Sequence, residues 1–325
     1  MASVGGKVTT NFRDTFRVIH KESLHWFPGH MRKGLNQMQQ KLKNVDCVIE
    51  VHDARVPISG RYVNFRNTVS GLKPHIFVLN KKDLADTRQA EEHKKILNND
   101  GIKHVIFTNF KDQQCKGMQS ILPLAIKLIE ESNRYNRTYN SEYAAMIIGV
   151  PNVGKSSLIN RLRNKYLHKS NATLVGGVAG ITRSVLNRIK ISEKPPVFVL
   201  DTPGILSPYV KDIYAGLKLA LVGCLQDHLV GQEIMADYLL FWLNKQKRFE
   251  YIEKLQLPAP SDNILEVLTC IAKNLGKVQS IRSYNGQRIQ RPDYVFAANH
   301  FLKVFRNGEL GPICLDDDII NDKSS

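Results

Sequence analysis

A glycine-bounded loop in the middle of the chain carries residues suited to holding phosphate. Gly149-Val-Pro-Asn-Val-Gly-Lys-Ser156 follows an apolar run at 144–148 and precedes a helix-like stretch at 157–163. The pattern G-x-x-x-x-G-K-S/T between a strand and a helix is typical of a phosphate loop. Its glycines let successive N–H groups turn towards phosphate oxygens, and the helix adds the positive end of its dipole. The predicted nucleotide contacts of this loop are Asn152, Val153, Gly154, Lys155, Ser156 and Ser157.

Within this loop two side chains have separate roles. Lys155 is expected to reach the β- and γ-phosphates, and the Ser156 hydroxyl is expected to bind Mg²⁺.

Two segments further along the chain are also predicted to contact Mg²⁺ or the γ-phosphate. The glycine-rich stretch from Gly176 ends in Thr182, whose hydroxyl can turn onto Mg²⁺ when the loop closes over a γ-phosphate. A buried strand then ends in Asp201-Thr-Pro-Gly204. Asp201 would hold Mg²⁺ through a water, and the Gly204 N–H would sense the γ-phosphate.

A second loop, Asn80-Lys-Lys-Asp83, has the pattern N-K-x-D and follows a short apolar strand at 75–79. Asp83 can accept hydrogen bonds from N1 and N2 of guanine, whereas adenine would leave this carboxylate unpaired. Asn80 is expected to tie the loop to the phosphate loop. The stem of Lys81 is expected to cover the base, with Lys82 beside it. The sequence therefore predicts a guanine nucleotide as the ligand.

A strand at 105–108 is followed by the position where guanine-binding domains contact the base through their backbone. Thr108 and Asn109 stand there in place of the usual Ser-Ala-Lys, so the match is loose. Both are nevertheless predicted nucleotide contacts.

Composition sets outer limits on the function. The chain has 325 residues, 42% of them hydrophobic, and a net charge of +16, which attracts polyanions. No run of eighteen apolar residues occurs, so no membrane span is predicted. The five cysteines lack any C-x-x-C pair, and we expect them to be reduced and buried, with no disulfide framework and no metal site.

The basic charge is concentrated near the phosphate loop. No acidic residue occurs between Tyr143 and Ser192, whereas lysines and arginines recur through that stretch. A solvated basic face would normally alternate with Asp and Glu, so the pattern favours RNA as a partner.

The chain divides by pattern into four parts. Residues 1–24 are short of acid, with Phe12, Phe16 and Ile19 at helical spacing, and fit either a mitochondrial presequence or a basic tail. Residues 25–210 alternate strands and helices, as expected for a nucleotide-binding α/β domain. Residues 211–312 predict a small all-helical domain with scattered basic residues, interpreted as the RNA- or ribosome-binding domain. Residues 313–325 predict a disordered acidic tail.

The order of the motifs is unusual, because Asn80-Lys-Lys-Asp83 precedes the phosphate loop instead of following it. Moving the chain termini leaves the same sheet possible. The chain then leaves the nucleotide-binding domain directly after Gly204, so a γ-phosphate that orders Thr182 and Gly204 could reposition the helical domain.

These motifs, with Trp26-Phe-Pro-Gly-His-Met31 and Asp53-Ala-Arg-Val-Pro57, resemble those of the circularly permuted GTPases that assemble ribosomes. The resemblance implies an α/β, circularly permuted Ras-like P-loop domain followed by a smaller helical domain. With the presequence-like start, it also implies maturation of the large ribosomal subunit in the mitochondrial matrix, with the helical domain touching ribosomal RNA.

The resemblance also bears on hydrolysis. Ile205 and Leu206 stand where Ras-like enzymes place a water-orienting glutamine, so intrinsic GTP hydrolysis is expected to be slow and stimulated by the ribosome. His30 matches the family's catalytic histidine, and Asn152 matches the position at which related GTPases hold K⁺. Ala179-Gly-Ile-Thr182 departs slightly from the usual Pro-Gly-Val-Thr but keeps Thr182.

Two other readings stay open. One is a non-catalytic RNA-binding scaffold that keeps GTP as a structural ligand. The other is a switch on anionic lipid, although neither Met1 nor Lys323-Ser-Ser325 carries a lipidation motif, which leaves only loose association with the inner membrane. We expect a monomer with no stable DNA partner.

Overall fold

The computed structural model describes residues 12–17, 42–61, 73–134, 137–169, 188–201, 213–282 and 288–321. Their contacts divide the chain into two units. The first takes its residues from 25–226 and 312–325, and the second from 1–24 and 227–311.

The first unit is organised by one mixed sheet. Its strands are β1 (Cys47–Asp53), β2 (His75–Asn80), β3 (Val105–Phe107), β4 (Tyr143–Ile148), β5 (Arg188–Glu193) and β6 (Pro196–Asp201). Their spatial order is β3-β2-β1-β4-β6-β5, and only β5 runs antiparallel to its neighbour. Every residue of β1 is buried, including the polar Glu50, His52 and Asp53. The strands β2 and β4 are mostly apolar runs that are buried after their first residue, as expected for a parallel sheet covered on both faces.

The register brings the ends of the parallel strands to one edge of the sheet. Asp53 of β1 lies opposite Asn80 of β2, and Ile147 of β4 lies opposite Asp201 of β6. The loops that follow these carboxyl ends are those in which the sequence predicts nucleotide contacts, as expected for a parallel α/β sheet. The strand of the phosphate loop, β4, is fourth in the chain but central in the sheet, which is the circularly permuted Ras-like arrangement.

Helices complete this unit: α1 (Ala90–Asn99), α2 (Lys116–Glu130), α3 (Lys155–Leu167) and α4 (Ile213–Leu221). Met118, Ile121, Leu122, Ala125 and Ile129 recur at helical spacing along α2 and are all buried. Leu97 of α1 packs in a core cluster with Phe77 and Leu79 of β2. Burial of each such side chain contributes roughly 1.5–3 kcal/mol.

The second unit is mostly helical, with α5 (Gln232–Lys245), α6 (Glu250–Lys254), α7 (Ile264–Asn274) and α8 (Tyr294–Arg306). Asn263 and Asp293 cap α7 and α8 by accepting from the backbone N–H groups of Leu265 and Phe296. An antiparallel hairpin, β7 (Val278–Arg282) with β8 (Arg288–Pro292), separates these two helices. The prediction of an all-helical domain was wrong at this hairpin, because its alternating polar and apolar residues are too hydrophilic to stand out as strands.

Residues 12–17 pack within the second unit. Phe16 is 5% exposed, and its ring packs against Tyr238 and Phe241 at centroid distances of 5.2 and 5.6 Å. Arg13 donates to Asp237, and its backbone N–H donates to Asp262. Within 12–17, Phe16 and Arg13 therefore pack in the second unit, and the presequence interpretation of residues 1–24 stays a prediction.

The end of the chain returns to the first unit. After Pro312, the backbone N–H of Ile313 donates to the Leu84 carbonyl, and that of Leu315 donates to the Arg55 carbonyl. A short helix, α9 (Asp317–Asn321), follows. Asp316 is fully buried, so the expected disordered tail is corrected at least through residue 321.

Two further expectations can be compared with the described residues. The cysteines are all free; Cys47, Cys115, Cys224 and Cys314 are buried, and Cys270 is half-buried. Among the described parts of the chain, no helix has the length and apolar character needed to cross a bilayer.

Candidate nucleotide-binding site

The phosphate loop connects β4 to α3 and is shaped by two glycines with positive φ. Gly149 has φ 145°, and a Cβ there would lie 2.1 Å from the Val51 carbonyl oxygen. Gly154 has φ 105°, and a Cβ there would lie 2.5 Å from Asn80 Nδ2. Only glycine satisfies both the conformation and the close approach at each position.

Lys155 and Ser156 begin α3 directly after this turn. The Lys155 ammonium is buried and donates to the carbonyls of Gly149 and Val150 at 3.1 and 3.0 Å, so a positive charge lies inside the curl of the loop. Ser156 and Ser157 are half-buried at the helix N-terminus. This combination of charge, backbone N–H groups and dipole suits a polyphosphate.

The side-chain amide of Asn80 joins the loop Asn80-Lys-Lys-Asp83, called the guanine loop below, to the phosphate loop. Asn80 Nδ2 donates to the Val153 carbonyl at 2.8 Å. Its Oδ1 accepts from the Phe110 N–H at 3.1 Å and lies 3.4 Å from the Thr108 hydroxyl. Because Asn80 is buried, each of these partners would lose a bond that water cannot readily replace.

The acidic residue of the guanine loop, Asp83, is accessible to solvent. Asp83 and Lys82 are exposed after the end of β2, and the Lys82 N–H donates to the Thr108 carbonyl at 3.0 Å. Asn109 is half-buried next to Thr108. The structure thus brings Asn80, Lys82, Thr108 and the phosphate loop together around one edge of the sheet.

Lys81 is held by a group whose role the sequence did not reveal. Lys81 has φ 61°, and its Nζ lies 2.9 Å from Asp53 Oδ2. Asp53 also accepts from Nε and Nη2 of Arg55 at 2.9 and 2.8 Å. Burial alone would raise the pKa of the Asp53 carboxyl, but the charges of Arg55 and Lys81 hold that pKa well below its usual range. Asp53 therefore holds the ammonium end of the Lys81 side chain in place.

Asn152 connects the phosphate loop to the chain beyond α4. It has φ 61°, and its Nδ2 donates to the Gly223 carbonyl at 2.7 Å. A K⁺ ion at this position would be bound by the side-chain oxygen of Asn152, because the amide nitrogen is a donor and bonds to the Gly223 carbonyl.

The loop fits Mg²⁺ as far as it is described. The metal prefers oxygen ligands, and the Ser156 hydroxyl stands at the helix N-terminus where the β- and γ-phosphates are expected. When bound, Mg²⁺ would neutralise charge on those phosphates. The backbone of Asp201 ends β6 beside β4, so this residue is at the correct edge. His30, Thr182 and Gly204 lie outside the described residues.

Sequence reasoning missed several contributors to this site. Phe110 binds Asn80 through its N–H and would approach a Cβ at Gly154 within 3.1 Å. Gly223 had no motif to indicate it, since its bond to Asn152 spans 71 positions. The pair Asp53 and Arg55 was visible within a recognised motif, and its position at the end of a buried strand was the available signal.

Comparison with known proteins agrees with this geometry. Residues 144–273 match a family model described as 50S ribosome-binding GTPase. The chain is 58% identical over 309 residues to Mitochondrial GTPase 1 of Aedes aegypti, covering 94% of this chain and 98% of that protein. It is 47% identical over 311 residues to Mitochondrial ribosome-associated GTPase 1 of Ictalurus punctatus, covering 95% and 97%.

The chain belongs to the mitochondrial GTPase 1 family. It is therefore a GTP-binding protein and a GTPase, as the two loops indicate. GNP-bound YlqF from T. maritima has the same fold, with a TM-score of 0.54 and 23% identity over 86% of this chain and 95% of that one.

Proposed function

We propose that this protein binds and hydrolyses GTP during maturation of the mitochondrial large ribosomal subunit, and that its nucleotide state controls contact with ribosomal RNA. The observation that carries the nucleotide part is the hydrogen bond from Asn80 Nδ2 to the Val153 carbonyl at 2.8 Å, which joins the N-K-x-D loop to the phosphate loop. The mitochondrial and ribosomal part is supported by relatives named mitochondrial ribosome-associated GTPase 1.

Guanine selection rests on Asp83. Its carboxylate is exposed and is expected to accept hydrogen bonds from N1 and N2 of the base, with the Lys81 stem over the ring and backbone contacts at Thr108 and Asn109. Lys81 is fixed at its tip by the buried Asp53, which supports a stem that stays in place when the base leaves.

The phosphates are expected to replace the loop carbonyls as partners of Lys155. Ser156, Thr182 and Asp201 would hold Mg²⁺, and the Gly204 N–H would contact the γ-phosphate. Hydrolysis needs an oriented water, which Ile205 and Leu206 cannot provide. We propose His30 for that step and Asn152 for a K⁺ ion that supplies positive charge at the phosphates.

Coupling to the second unit would pass through Gly223. Asn152 of the phosphate loop bonds to its carbonyl, and the second unit begins four residues later at Asp227. A change in the phosphate loop would therefore be transmitted along a very short segment. Nucleotide switches commonly couple the phosphate site to a neighbouring segment in this way, and we propose that role for residues 223–227.

The RNA contact is proposed for the basic surface of the second unit. Its exposed basic residues include Lys273, Lys277, Arg288, Arg291 and Lys303. Lys277 lies 5.2 Å from the centre of the exposed Phe296 ring. Exposed aromatic rings beside basic groups suit unpaired RNA bases.

We propose that the protein acts in the mitochondrial matrix, with loose association with the inner membrane as the alternative. We also propose that it acts as a monomer.

The test is GTP turnover in KCl and in NaCl, with and without mitochondrial large ribosomal subunits. We expect subunits to accelerate turnover of the wild type in KCl, and His30→Ala to lose that acceleration while still binding GDP. His104→Ala is the matched control, because His104 is a half-buried histidine with no place in the site. Turnover that stays flat under every condition would refute the proposal and favour a scaffold that keeps GTP as a structural ligand.

A second arm isolates base recognition. Asp83→Asn replaces an acceptor with a donor opposite N1 and N2 and should weaken GDP binding by more than about 100-fold, because buried polar groups are left unpaired. Asp112→Asn, an exposed aspartate in the neighbouring loop, should leave binding unchanged. Unaltered GDP affinity in Asp83→Asn would contradict the assignment of the guanine loop.

A further inference from the structure

Three metal-ligating side chains meet where the end of the chain returns to the first unit. They are His93 on α1, Cys314 and Asp317, and one ligand atom from each lies within 4.8 Å of the others. His93 Nε2 is 3.7 Å from Cys314 Sγ and 3.7 Å from Asp317 Oδ1. None of these residues belongs to the nucleotide-binding site.

Atoms of types that bind metals face one another in this cluster. The 3.7 Å between His93 Nε2 and Asp317 Oδ1 is too long for a hydrogen bond between nitrogen and oxygen, whereas Cys314 Sγ, 3.7 Å from His93 Nε2, makes a weak sulfur hydrogen bond. Asp317 Oδ1 is buried with no nitrogen or oxygen partner among the described residues, and the Asp317 carboxylate lies beside the Cys314 thiol. Around a tetrahedral Zn²⁺ with metal–ligand bonds of about 2.0–2.3 Å, neighbouring ligand atoms lie roughly 3.3–3.6 Å apart. The cluster needs to contract only slightly to reach that spacing.

The position of the His93 ring suits a metal ligand. Its side chain is 2% exposed, and its Nε2 faces Cys314 and Asp317. The ring also donates to the backbone carbonyl of Gln89. Because Nε2 faces Cys314 and Asp317, the nitrogen that donates to Gln89 is Nδ1, which leaves the lone pair on Nε2. Metal-bound histidines are usually oriented by a hydrogen bond of this kind.

The segment that carries the other two ligands is held firmly. The carboxylate of Asp316, between them, accepts from the N–H groups of Ile58 and Ser59 at 2.7 and 2.8 Å. Lys218 on α4 pairs with Asp316 at 3.3 Å and with Asp318 at 2.7 Å. These contacts fix the turn between Cys314 and Asp317 before any metal arrives.

We propose that His93, Cys314 and Asp317 bind Zn²⁺. Imidazole, thiolate and carboxylate together are a ligand set that zinc accepts, and the partly exposed Asp317 leaves a side open for a water as the fourth ligand. Binding would form a Zn–S bond as the Cys314 thiol releases its proton to solvent. The ion would fasten the returning chain to α1, which follows the guanine loop.

The test measures zinc in the purified full-length protein by mass spectrometry, and then by competition with a chromogenic chelator after metal removal. We expect one Zn²⁺ per chain in the wild type, and an affinity lowered by more than about 10-fold in Cys314→Ser. Cys270→Ser is the matched control, because Cys270 is half-buried on α7 and outside the cluster. A wild type that binds no more zinc than Cys314→Ser would overturn the proposal.

A second measurement keeps the proposal testable if Cys314→Ser fails to fold. Asp317→Asn changes the most exposed ligand, and GDP binding reports whether the first unit remains intact. Cobalt added to the metal-free wild type should give a thiolate-to-cobalt charge-transfer band that Asp317→Asn weakens and that Cys270→Ser keeps. A band that is absent from the wild type, or equal in all three proteins, would refute the site whatever the result for GTP hydrolysis.

Discussion

Replacing Asp53 is expected to destabilise the first unit, because its carboxylate pairs with a buried guanidinium. The side chain is completely buried and receives both arms of Arg55, which is itself 3% exposed, together with Lys81 Nζ. Asp53→Asn preserves the shape but removes the charge of the carboxylate that accepts two bonds from the buried guanidinium. Breaking a buried pair in this way costs roughly 3–5 kcal/mol. Lys81 adds little, because its side chain is 24% exposed and can recover water.

A loss of that size is large compared with the roughly 5–15 kcal/mol that stabilises a typical domain. It should lower the melting temperature of the first unit by roughly 6–20 °C. Urea denaturation followed by circular dichroism measures the effect. The matched control is Asp86→Asn, because Asp86 and Arg88 form the same i,i+2 pair, but the Arg88 side chain is 86% exposed. Water replaces the lost carboxylate there, so the control should keep a wild-type midpoint.

The same group predicts a dependence on pH. The folded pKa of Asp53 is held below the unfolded value of about 3.9. Its contribution to stability is therefore complete above that unfolded value and is lost as the pH falls towards the folded pKa. Asp53→Asn should lose less stability than the wild type on acidification below about pH 4. Equal midpoints for Asp53→Asn and Asp86→Asn at neutral pH would refute the reasoning.

Three further changes test other parts of the structure. Gly154→Ala should abolish binding of a fluorescent GDP analogue, because its Cβ would lie 2.5 Å from Asn80 Nδ2, whereas Gly276→Ala, with nothing within 4 Å, should bind normally. Phe16→Ala should destabilise the second unit by roughly 3–5 kcal/mol in thermal unfolding, since its ring is 5% exposed, and an unchanged transition would mean that residues 12–17 do not contribute to the core. Asp316→Asn should speed proteolysis after residue 312, because the buried Lys218 ammonium loses a charge partner, and a rate equal to wild type would show that Asp316 does not hold the segment.

Much of the first unit could be predicted because its signals are local. The strands β2 and β4 are short apolar runs that are buried after their first residue, so their composition indicates buried strands. The loops after β2 and β4 carry complete motifs, and their residue types follow from the chemistry of guanine and phosphate. Even the contact between Asn80 and the phosphate loop was expected from the motif.

The features that were missed depend on contacts between distant residues. Asp316 looks like part of a solvated acidic run, yet it is buried because Lys218, 98 positions earlier, and the amides of Ile58 and Ser59 satisfy its carboxylate. The contact between Cys314 and His93 leaves no local motif in the sequence, because the two residues are 221 positions apart. The strands β7 and β8 carry several basic residues, and their pairing, rather than their composition, makes them a hairpin.

The return of residues 312–321 to the first unit has a consequence for the order of biosynthesis. The carboxylate that Ile58, Ser59 and Lys218 require is synthesised 98 residues after Lys218 itself. A nascent chain can assemble the sheet from β1 to β6 early, since domains generally fold as they emerge. Lys218 nevertheless stays without its buried partner until residues 227–311 have also been synthesised. A chain truncated anywhere between residues 227 and 315 should therefore contain every nucleotide motif and still lack a finished GTPase unit.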